Sequence, residues 1–161
     1  MKPSGRPDMP DTVTVRPVAE DDYADWLPLW EGYNQFYGRF DETALPEAIT
    51  RSTWSRFFEA AEPVHALVAE RHGRLVGLVH YLFHRSTIMI APTCYLQDLF
   101  TGVSARGGGV GEQLIRAVYD AARDAGSSAV YWHTHETNAV ARRLYDRVAT
   151  NSGFLVYRQR L

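Results

Sequence analysis

The segment of this sequence best suited to bind a charged ligand is a glycine-rich turn between an apolar strand and a helical pattern. It comprises Arg106 and the residues GGGVG that follow, up to Gly111. Clustered glycines allow backbone N–H groups to point at a phosphate, and the dipole of the next helix favours negative charge there. The spacing therefore predicts an anion-binding turn at residues 106–111.

The residues around this turn exclude the commonest phosphate-binding loops. A Walker loop needs Gly-Lys-Ser/Thr, whereas Gly111 is followed by Glu112 and Gln113, so the cation and the Mg²⁺ ligand of nucleotide hydrolysis are missing. A dinucleotide-binding fold would carry its glycines in the first strand-to-helix turn, and this turn comes much later in the chain. A kinase, a GTPase and a Rossmann enzyme are therefore disfavoured.

Two polar side chains after the turn are spaced so that both can act at one site. Asn138 and Tyr145 are seven residues apart, so a helix places them on one face. A phenol with a pKa of about 10 is protonated at neutral pH and can act as a proton donor. The alternative for Tyr145 is packing on the apolar face beside Leu144.

Before the turn, Gln97 and Asp98 interrupt an apolar strand. Adjacent strand residues alternate between faces, so Asp98 has two open roles, one in a buried hydrogen bond and one in catalysis. His80 and His84, in the preceding strand pattern, are expected to be satisfied strand residues rather than ligands. Cys94 is expected to be a small buried hydrophobic residue rather than a nucleophile.

The sequence does not predict a metal site. His133 and His135 lie two apart, and no third ligand accompanies them on a predicted strand edge, so they are expected to be polar neighbours of a cleft. The single cysteine excludes a disulfide framework and a multi-cysteine metal cage, and it fits a reduced, cytoplasmic setting.

Length and composition predict one folded domain. The 161 residues suffice for a single core, and 45% hydrophobic with 12% aromatic residues exclude a disordered or collagen-like chain. We expect residues 1–11 to form a flexible leader and residues 12–161 the domain. No apolar stretch is long enough for a membrane span, so neither a membrane nor, at a net charge of −2, a nucleic-acid partner is expected.

The charge is unevenly distributed. Residues 20–62 carry ten acidic residues against three arginines, whereas residues 63–161 carry eleven arginines against seven acidic residues. The first part therefore favours a cationic ligand and the second an anionic one.

The hydrophobic periodicity predicts a mixed α/β order without internal repeats. One sheet with helices on both faces is the economical packing. The predicted strands are 13–16, 64–70, 75–84, 94–100, 129–133 and 154–158, and the predicted helices are 20–37, 47–60, 110–125 and 138–148.

These segments together resemble the GCN5-related N-acetyltransferases. Residues 106–111 match the family signature Arg/Gln-x-x-Gly-x-Gly/Ala. The segments YLQDLF and TNAVARRLYD are most similar to the branch of histone/polyamine and diamine acetyltransferases. The resemblance implies an α/β (α+β) domain with a mixed, mostly antiparallel, twisted sheet that splays at the site of acetyl-CoA. It also implies direct acetyl transfer to a primary amine.

The resemblance assigns roles to the motif residues. Tyr145 would be the general acid for the CoA thiolate. The proton acceptor is open, because related diamine enzymes carry a glutamate where this chain has Gln97; water polarised by Asp98, His133 or a carbonyl, or another acid such as Glu31, would replace it. The implied cofactor-binding residues are Leu99, Phe100, Thr101, Arg106, Gly107, Gly108, Gly109, Val110, Gly111, Glu112, Asn138 and Tyr145.

The acceptor would lie against the first two helices and their joining loop, and we expect a small cationic amine or a polyamine. The residues expected to contact it are Glu31, Tyr37, Phe40, Asp41, Glu42 and His133. The alternatives are a protein lysine or N-terminus, an aminoglycoside, or a non-catalytic acyl-CoA-binding module. The resemblance also implies a homodimer formed through the C-terminal strands.

Overall fold

The computed structural model describes residues 11–161, so the predicted leader lies outside the described residues except for Asp11. Five strands and four helices follow one another in the predicted mixed order. They are β1 (Thr14–Pro17), α1 (Tyr23–Phe36), α2 (Glu47–Arg56), β2 (Val64–Arg71), β3 (Arg74–His84), β4 (Thr93–Thr101), α3 (Val110–Asp124), β5 (Val130–Tyr131) and α4 (Ala139–Val148).

The strands form one open sheet in the order β1-β2-β3-β4-β5. The first four are antiparallel, and β5 is parallel to β4. The β4–β5 pairing covers only Cys94 with Val130 and Tyr95 with Tyr131, although β4 continues to Thr101. The sheet therefore splays beyond Tyr95, and the predicted fold class is confirmed.

Each face of the sheet packs on a different pair of helices, because successive strand side chains point to opposite sides. Leu67 and Val79 belong to a cluster with Leu114 and Ile115 of α3, against which α4 also packs. On the other face, Val68, Leu78 and the side chains beside them pack on α1 and α2; the helix residues involved include Trp26, Leu29, Trp30, Tyr33, Trp54 and Phe57. The helices thus cover both faces of the sheet.

One irregularity interrupts the β3–β4 pairing. The register passes from His80 opposite Asp98 to Tyr81 opposite Leu96, so Gln97 is an extra residue in β4. Such a bulge disrupts the ladder locally and bends the strand. It lies where β4 leaves β5.

Three predicted elements differ from the structure. The predicted strand 154–158 is wrong: residues 149–161 form no strand or helix and are exposed. A strand forms only where a neighbour accepts its hydrogen bonds, and this segment has none. For the same reason β5 ends at Tyr131 rather than at His133. The predicted helix 47–60 is also too long, because α2 ends at Arg56 in a turn where the N–H of Phe58 donates to the carbonyl of Ser55 (3.1 Å). In residues 11–161, no helix is both long and apolar enough to cross a membrane.

Candidate functional site

A cleft of about 550 Å³ opens where β4 and β5 separate. The end of α1, the end of β4, the glycine turn and the cleft-facing side of α4 form its walls. The predicted site residues that line it are Tyr37, Leu99, Phe100, Thr101, Arg106, Gly107, Gly109, Val110, Gly111, Glu112, Asn138 and Tyr145. Most of the residues expected to hold the cofactor thus share one cavity.

The glycine turn has the backbone shape that only glycine adopts without strain. Gly107 and Gly109 both have φ of +77°, in the left-handed region. No heavy atom comes within 4 Å of a Cβ built at either position, so the space above the turn is open. Gly108 lies in the turn but does not line the cleft.

The turn ends in the N-terminus of α3, and Gly109 is the N-cap. The N–H of Gln113 donates to the carbonyl of Gly109 (3.1 Å), so the amides just before Gln113 have no acceptor within the helix. Unpaired amides and the helix dipole both favour an anion here. Arg106 closes the turn onto β4, because its Nε donates to the carbonyl of Thr101 (3.3 Å) and its guanidinium lies 5.7 Å from the centre of the Phe100 ring.

Two side chains of α4 complete the opposite wall. Asn138 is the N-cap of α4 and accepts a hydrogen bond from the N–H of Ala141 (3.4 Å). Tyr145 packs edge-on against Trp132, with ring centres 5.4 Å apart. Burial raises the pKa of the Tyr145 phenol to about 12, so the phenol is protonated throughout the neutral range. Both readings of Tyr145 from the sequence are therefore compatible: it packs in the core and borders the cleft.

The sequence did not indicate that arginines of α4 border the cleft. Arg143 and Arg147 line it beside the glycine turn. Arg147 lies 3.7 Å from Glu112, whose carboxylate also pairs with Arg116 at 2.7 Å. These arginine contacts hold the pKa of Glu112 below its usual value. The four-residue spacing of Arg143 and Arg147, together with the basic second part of the chain, was the signal that could have found them.

A buried chain of hydrogen bonds reaches Asp98 from the other face of the sheet. The indole Nε1 of Trp26 donates to Nε2 of His80 (3.1 Å), and Nδ1 of His80 lies 3.0 Å from Oδ2 of Asp98. His80 is a satisfied strand residue, as its position predicted, but its role toward Asp98 was not predicted. The two residues are 18 apart in sequence, and only the β3–β4 pairing joins them.

A smaller cavity, of about 210 Å³, lies between α2 and strands β3 and β4. Gln97 and Asp98 both line it, because the bulge turns their side chains to the same face. Its other walls are aromatic and aliphatic, with one arginine; they include Trp30, Thr53, Arg56, Phe57, Val64, His80 and Leu82.

Asp98 also acts on the larger cleft through Tyr33. Burial and the nearby Asp98 carboxylate raise the pKa of the Tyr33 phenol far above its usual value. Tyr33 lines the larger cleft and Asp98 lines the smaller cavity. Asp98 therefore lines the smaller cavity close to two residues, Tyr33 and Leu99, that border the larger cleft.

Several predicted acceptor residues lie elsewhere. Glu31, Phe40, Asp41 and Glu42 are exposed and line neither cavity. His133 also lines neither cavity; its Nδ1 lies 3.2 Å from the hydroxyl of Tyr95. In the part of the chain that the structure describes, no three His, Cys, Asp or Glu residues form a cluster that could hold a metal ion.

Comparison with protein families gives one match that covers most of the chain. The family model described as the acetyltransferase (GNAT) family matches residues 25–149. This span includes both cavities, the glycine turn and all of α4.

Two curated relatives match along nearly their whole length. The D-amino-acid N-acetyltransferase HPA3 of Saccharomyces cerevisiae is 30% identical over 151 residues, which cover 92% of this chain and 91% of the relative. The uncharacterized N-acetyltransferase YhfO of Bacillus subtilis is 28% identical over 147 residues, with 90% and 95% covered.

Solved structures share the fold at lower identity. The aminoglycoside N-acetyltransferase AAC(6')-Iy in complex with CoA superimposes with a TM-score of 0.76 at 17% identity, and the match covers 100% of each chain. At this identity the likeness concerns the fold alone.

Proposed function

Because the chain belongs to the GNAT family and is an acetyl-CoA-dependent N-acetyltransferase, we propose that it acetylates the primary amine of a small molecule by direct transfer. The single observation that carries this proposal is a cleft with an anion-binding turn at one end and a protonated phenol in its wall. Direct transfer is supported by Cys94, which is buried and whose thiol pKa is raised by burial to about 11. A protonated, enclosed thiol is a poor nucleophile.

The residues present fit acetyl-CoA, which supplies the activated acetyl thioester when bound. The amides of residues 107–112 would hold the pyrophosphate, and the guanidinium groups of Arg106, Arg143 and Arg147 add positive charge at the same end of the cleft. Asn138 would contact the cofactor from the start of α4. The backbone of residues 99–101, which has no partner in β5, would pair with the pantetheine amides as an added strand would.

Three protons change place when an ammonium is acetylated. The nitrogen must lose one before it attacks, the departing thiolate must gain one, and the nitrogen of the new C–N bond must lose another to become an amide. Tyr145 would supply the second proton. Gln97 cannot accept the first, because an amide is not basic at neutral pH. Asp98, acting directly or through a water held between it and Gln97, is the acceptor that this geometry favours over the exposed Glu31.

The first candidate for the acceptor is a small cationic amine or polyamine, as in the branch that the sequence motifs resemble. The acidic first part of the chain supports it through long-range attraction. Tyr37 borders the cleft and would contact such an amine there. Glu31, Phe40, Asp41, Glu42 and His133 would act from the surface rather than from a cavity wall.

The second candidate is an amino acid. The smaller cavity has a carboxylate, Asp98, and a guanidinium, Arg56, in its lining, which is the complement of a molecule carrying both an ammonium and a carboxylate group. At about 210 Å³ it suits a ligand smaller than the drug-sized molecules that fill typical pockets. The activity named for the yeast relative, on D-amino acids, supports the same candidate.

A panel of amines tests the substrate class. Purified protein is mixed with acetyl-CoA and, separately, with D- and L-amino acids, spermidine, an aminoglycoside and a lysine-containing peptide, and release of the CoA thiol is followed. Turnover of small amines is expected, and the ratio of amino acid to polyamine turnover decides between the two candidates. Turnover confined to the peptide would contradict the proposal, and turnover confined to the aminoglycoside would exclude both candidate substrates.

A homodimer in the cytoplasm completes the proposal. Residues 149–161 form no strand or helix, Phe154 and Tyr157 are each 91% exposed, and the outer edge of β5 has no partner in residues 11–161. The tail of a second copy would cover its apolar residues by pairing at such an edge. Light scattering should then give twice the chain mass of 18.2 kDa, and Phe154→Asp with Tyr157→Asp should reduce it to one. A single-chain mass for the parent protein would contradict the dimer.

A further inference from the structure

Three side chains from α1, β3 and β4 form a continuous buried chain of hydrogen bonds, and the acetyl-transfer steps above use only Asp98 of the three. Trp26 is 0%, His80 2% and Asp98 9% exposed. Their two hydrogen bonds measure 3.1 Å and 3.0 Å. Polar groups this deeply buried persist only where each finds a partner, so the chain fixes three elements relative to one another.

The direction of these hydrogen bonds assigns the histidine tautomer. An indole nitrogen is a donor only, so Nε2 of His80 must accept from Trp26. A neutral imidazole whose Nε2 accepts carries its proton on Nδ1, which then donates to Oδ2 of Asp98. Trp26 thereby makes His80 a donor, and Oδ2 of Asp98 accepts from it.

Aromatic side chains hold the His80 ring in place. The ring centres of Trp30 and Phe57 lie 5.2 Å and 4.8 Å from that of His80. The imidazole is therefore held by packing as well as by hydrogen bonds at both nitrogens. One oxygen of Asp98 is fixed by it, and the exposed part of the carboxylate belongs to the wall of the smaller cavity.

We propose that His80 is a positioning residue that holds the Asp98 side chain where it receives the ammonium group of the amine substrate. This ammonium group reaches Asp98 from the smaller cavity. The inference rests on the proposed function. In the reaction, one N–H proton of the ammonium passes to Asp98, and the nitrogen lone pair forms the C–N bond as the C–S bond breaks. The thiolate then takes the proton of Tyr145, and the Tyr145 phenolate takes the second N–H proton that the nitrogen loses as the amide forms. The proton on Asp98 passes to solvent.

Two substitutions at His80 separate its two hydrogen bonds, the one from Trp26 and the one to Asp98. His80→Asn retains an N–H near the position of Nδ1 and so can still donate to Asp98. His80→Gln places its amide near Nε2, where it can accept from Trp26 but no longer reaches Asp98. Both variants remove the same ring from the same core, so their thermal stability should fall by similar amounts.

The expected result is a difference in turnover. His80→Gln should lower kcat about tenfold or more, since a hydrogen bond to a charged group is lost, whereas His80→Asn should restore most of it. The acid limb of kcat/KM for the amine should move in the Gln variant, and CoA affinity should not change in either. Equal kcat in the two folded variants, or an unmoved pH profile in the Gln variant, would overturn the inference.

Trp26→Phe provides a second test that leaves His80 intact. It removes the donor that selects the tautomer and keeps an aromatic ring, so kcat should fall by less than in His80→Gln, and the pH profile should move in the same direction. An unchanged pH profile in folded protein would count against the tautomer argument. Failure of the proposed function is distinguishable, because the unsubstituted protein would then acetylate none of the small amines in the panel.

Discussion

The cofactor end and the acceptor end of the active-site region present different kinds of groups to their ligands. At the cofactor end, the ligand would meet backbone: the amides of residues 107–112, shaped by two left-handed glycines, with arginine side chains around them. At the acceptor end, the ligand would meet side chains, above all Asp98, which depends on His80 and Trp26 behind it. The backbone turn of the first end is one local segment, whereas the second end depends on three elements distant in sequence.

This difference teaches where specificity can change. A backbone cradle recognises any pyrophosphate and tolerates few substitutions, because its shape depends on glycine. A carboxylate in the wall of a cavity can serve many amines, and the residues around it decide which amine fits. Substitutions at the cofactor end should therefore abolish binding, whereas those at the acceptor end should change rates and preferences.

The largest expected effect breaks the cofactor end. Gly109→Glu places a carboxylate in the open space above the turn, where a phosphate would lie, and forces a side chain into the left-handed region at φ +77°. We expect CoA affinity to fall more than about a hundredfold, through repulsion and lost fit. Calorimetric titration with CoA measures it.

Gly126→Glu is the matched control for this change. Gly126 has φ of +75° and open space around it, but it follows the far end of α3. Both variants bear the same backbone cost of about 1–2 kcal/mol, and only the first should lose CoA. A normal titration of Gly109→Glu would refute the anion-binding turn.

The next largest effect removes the proton donor. Tyr145→Phe should lower kcat about a hundredfold with little change in CoA affinity, because the ring still packs on Trp132 while the phenol proton is gone. Steady-state kinetics and CoA titration measure the two quantities. Tyr119→Phe, which removes a hydroxyl that donates to the carbonyl of Val148 (2.9 Å) outside the cleft, is the control.

The same residue gives a pH prediction. Since the folded pKa of Tyr145 is raised to about 12, its phenol stays protonated as the pH rises through 10, the pKa of an unperturbed tyrosine. The general acid should therefore not produce an alkaline decline of kcat below about pH 11. A decline near pH 9 that disappears in Tyr145→Phe would contradict this assignment.

A smaller effect tests the acceptor end. Arg56→Gln should raise KM for amino acids about fivefold to tenfold and leave KM for polyamines unchanged, because only a carboxylate-bearing acceptor uses the guanidinium. Arg51→Gln in the same helix is the control, since Arg51 pairs with Glu47 and lines neither cavity. An equal effect on both substrate classes would weigh against the amino acid candidate.

The smallest effect concerns the acidic surface. Asp41→Asn with Glu42→Gln should raise KM for polyamines about threefold or less, because exposed charges act through solvent and salt. The effect should vanish at high ionic strength. Asp21→Asn with Asp25→Asn makes the same change in net charge on another exposed surface. This pair should raise KM for polyamines less, if the position of Asp41 and Glu42 matters.

The sequence predicted those features that depend on neighbouring residues. The glycine turn and α3 followed from local conformational preference, and they lie where predicted. The C-terminal strand could not be judged this way, because an alternating pattern at residues 154–158 does not disclose whether a partner edge exists.

The acceptor end required contacts that no local pattern encodes. Asp98 was recognised as polar and ambiguous, but its partner His80 comes from another strand, and the bulge at Gln97 decides which wall both polar side chains form. An extra residue in a strand leaves no periodic signal of its own, so the smaller cavity and Arg56 in its wall were not predicted.

The extra residue Gln97 has a consequence for the stability of the fold. If it were deleted, Leu96 and Asp98 would follow one another opposite Tyr81 and His80, in the pairing they already have, and β4 would become a regular strand. We therefore expect a protein without Gln97 to melt at the same temperature or higher, yet to acetylate poorly, because its sheet no longer bends at the cleft. We expect folding not to need Gln97 and catalysis to need it.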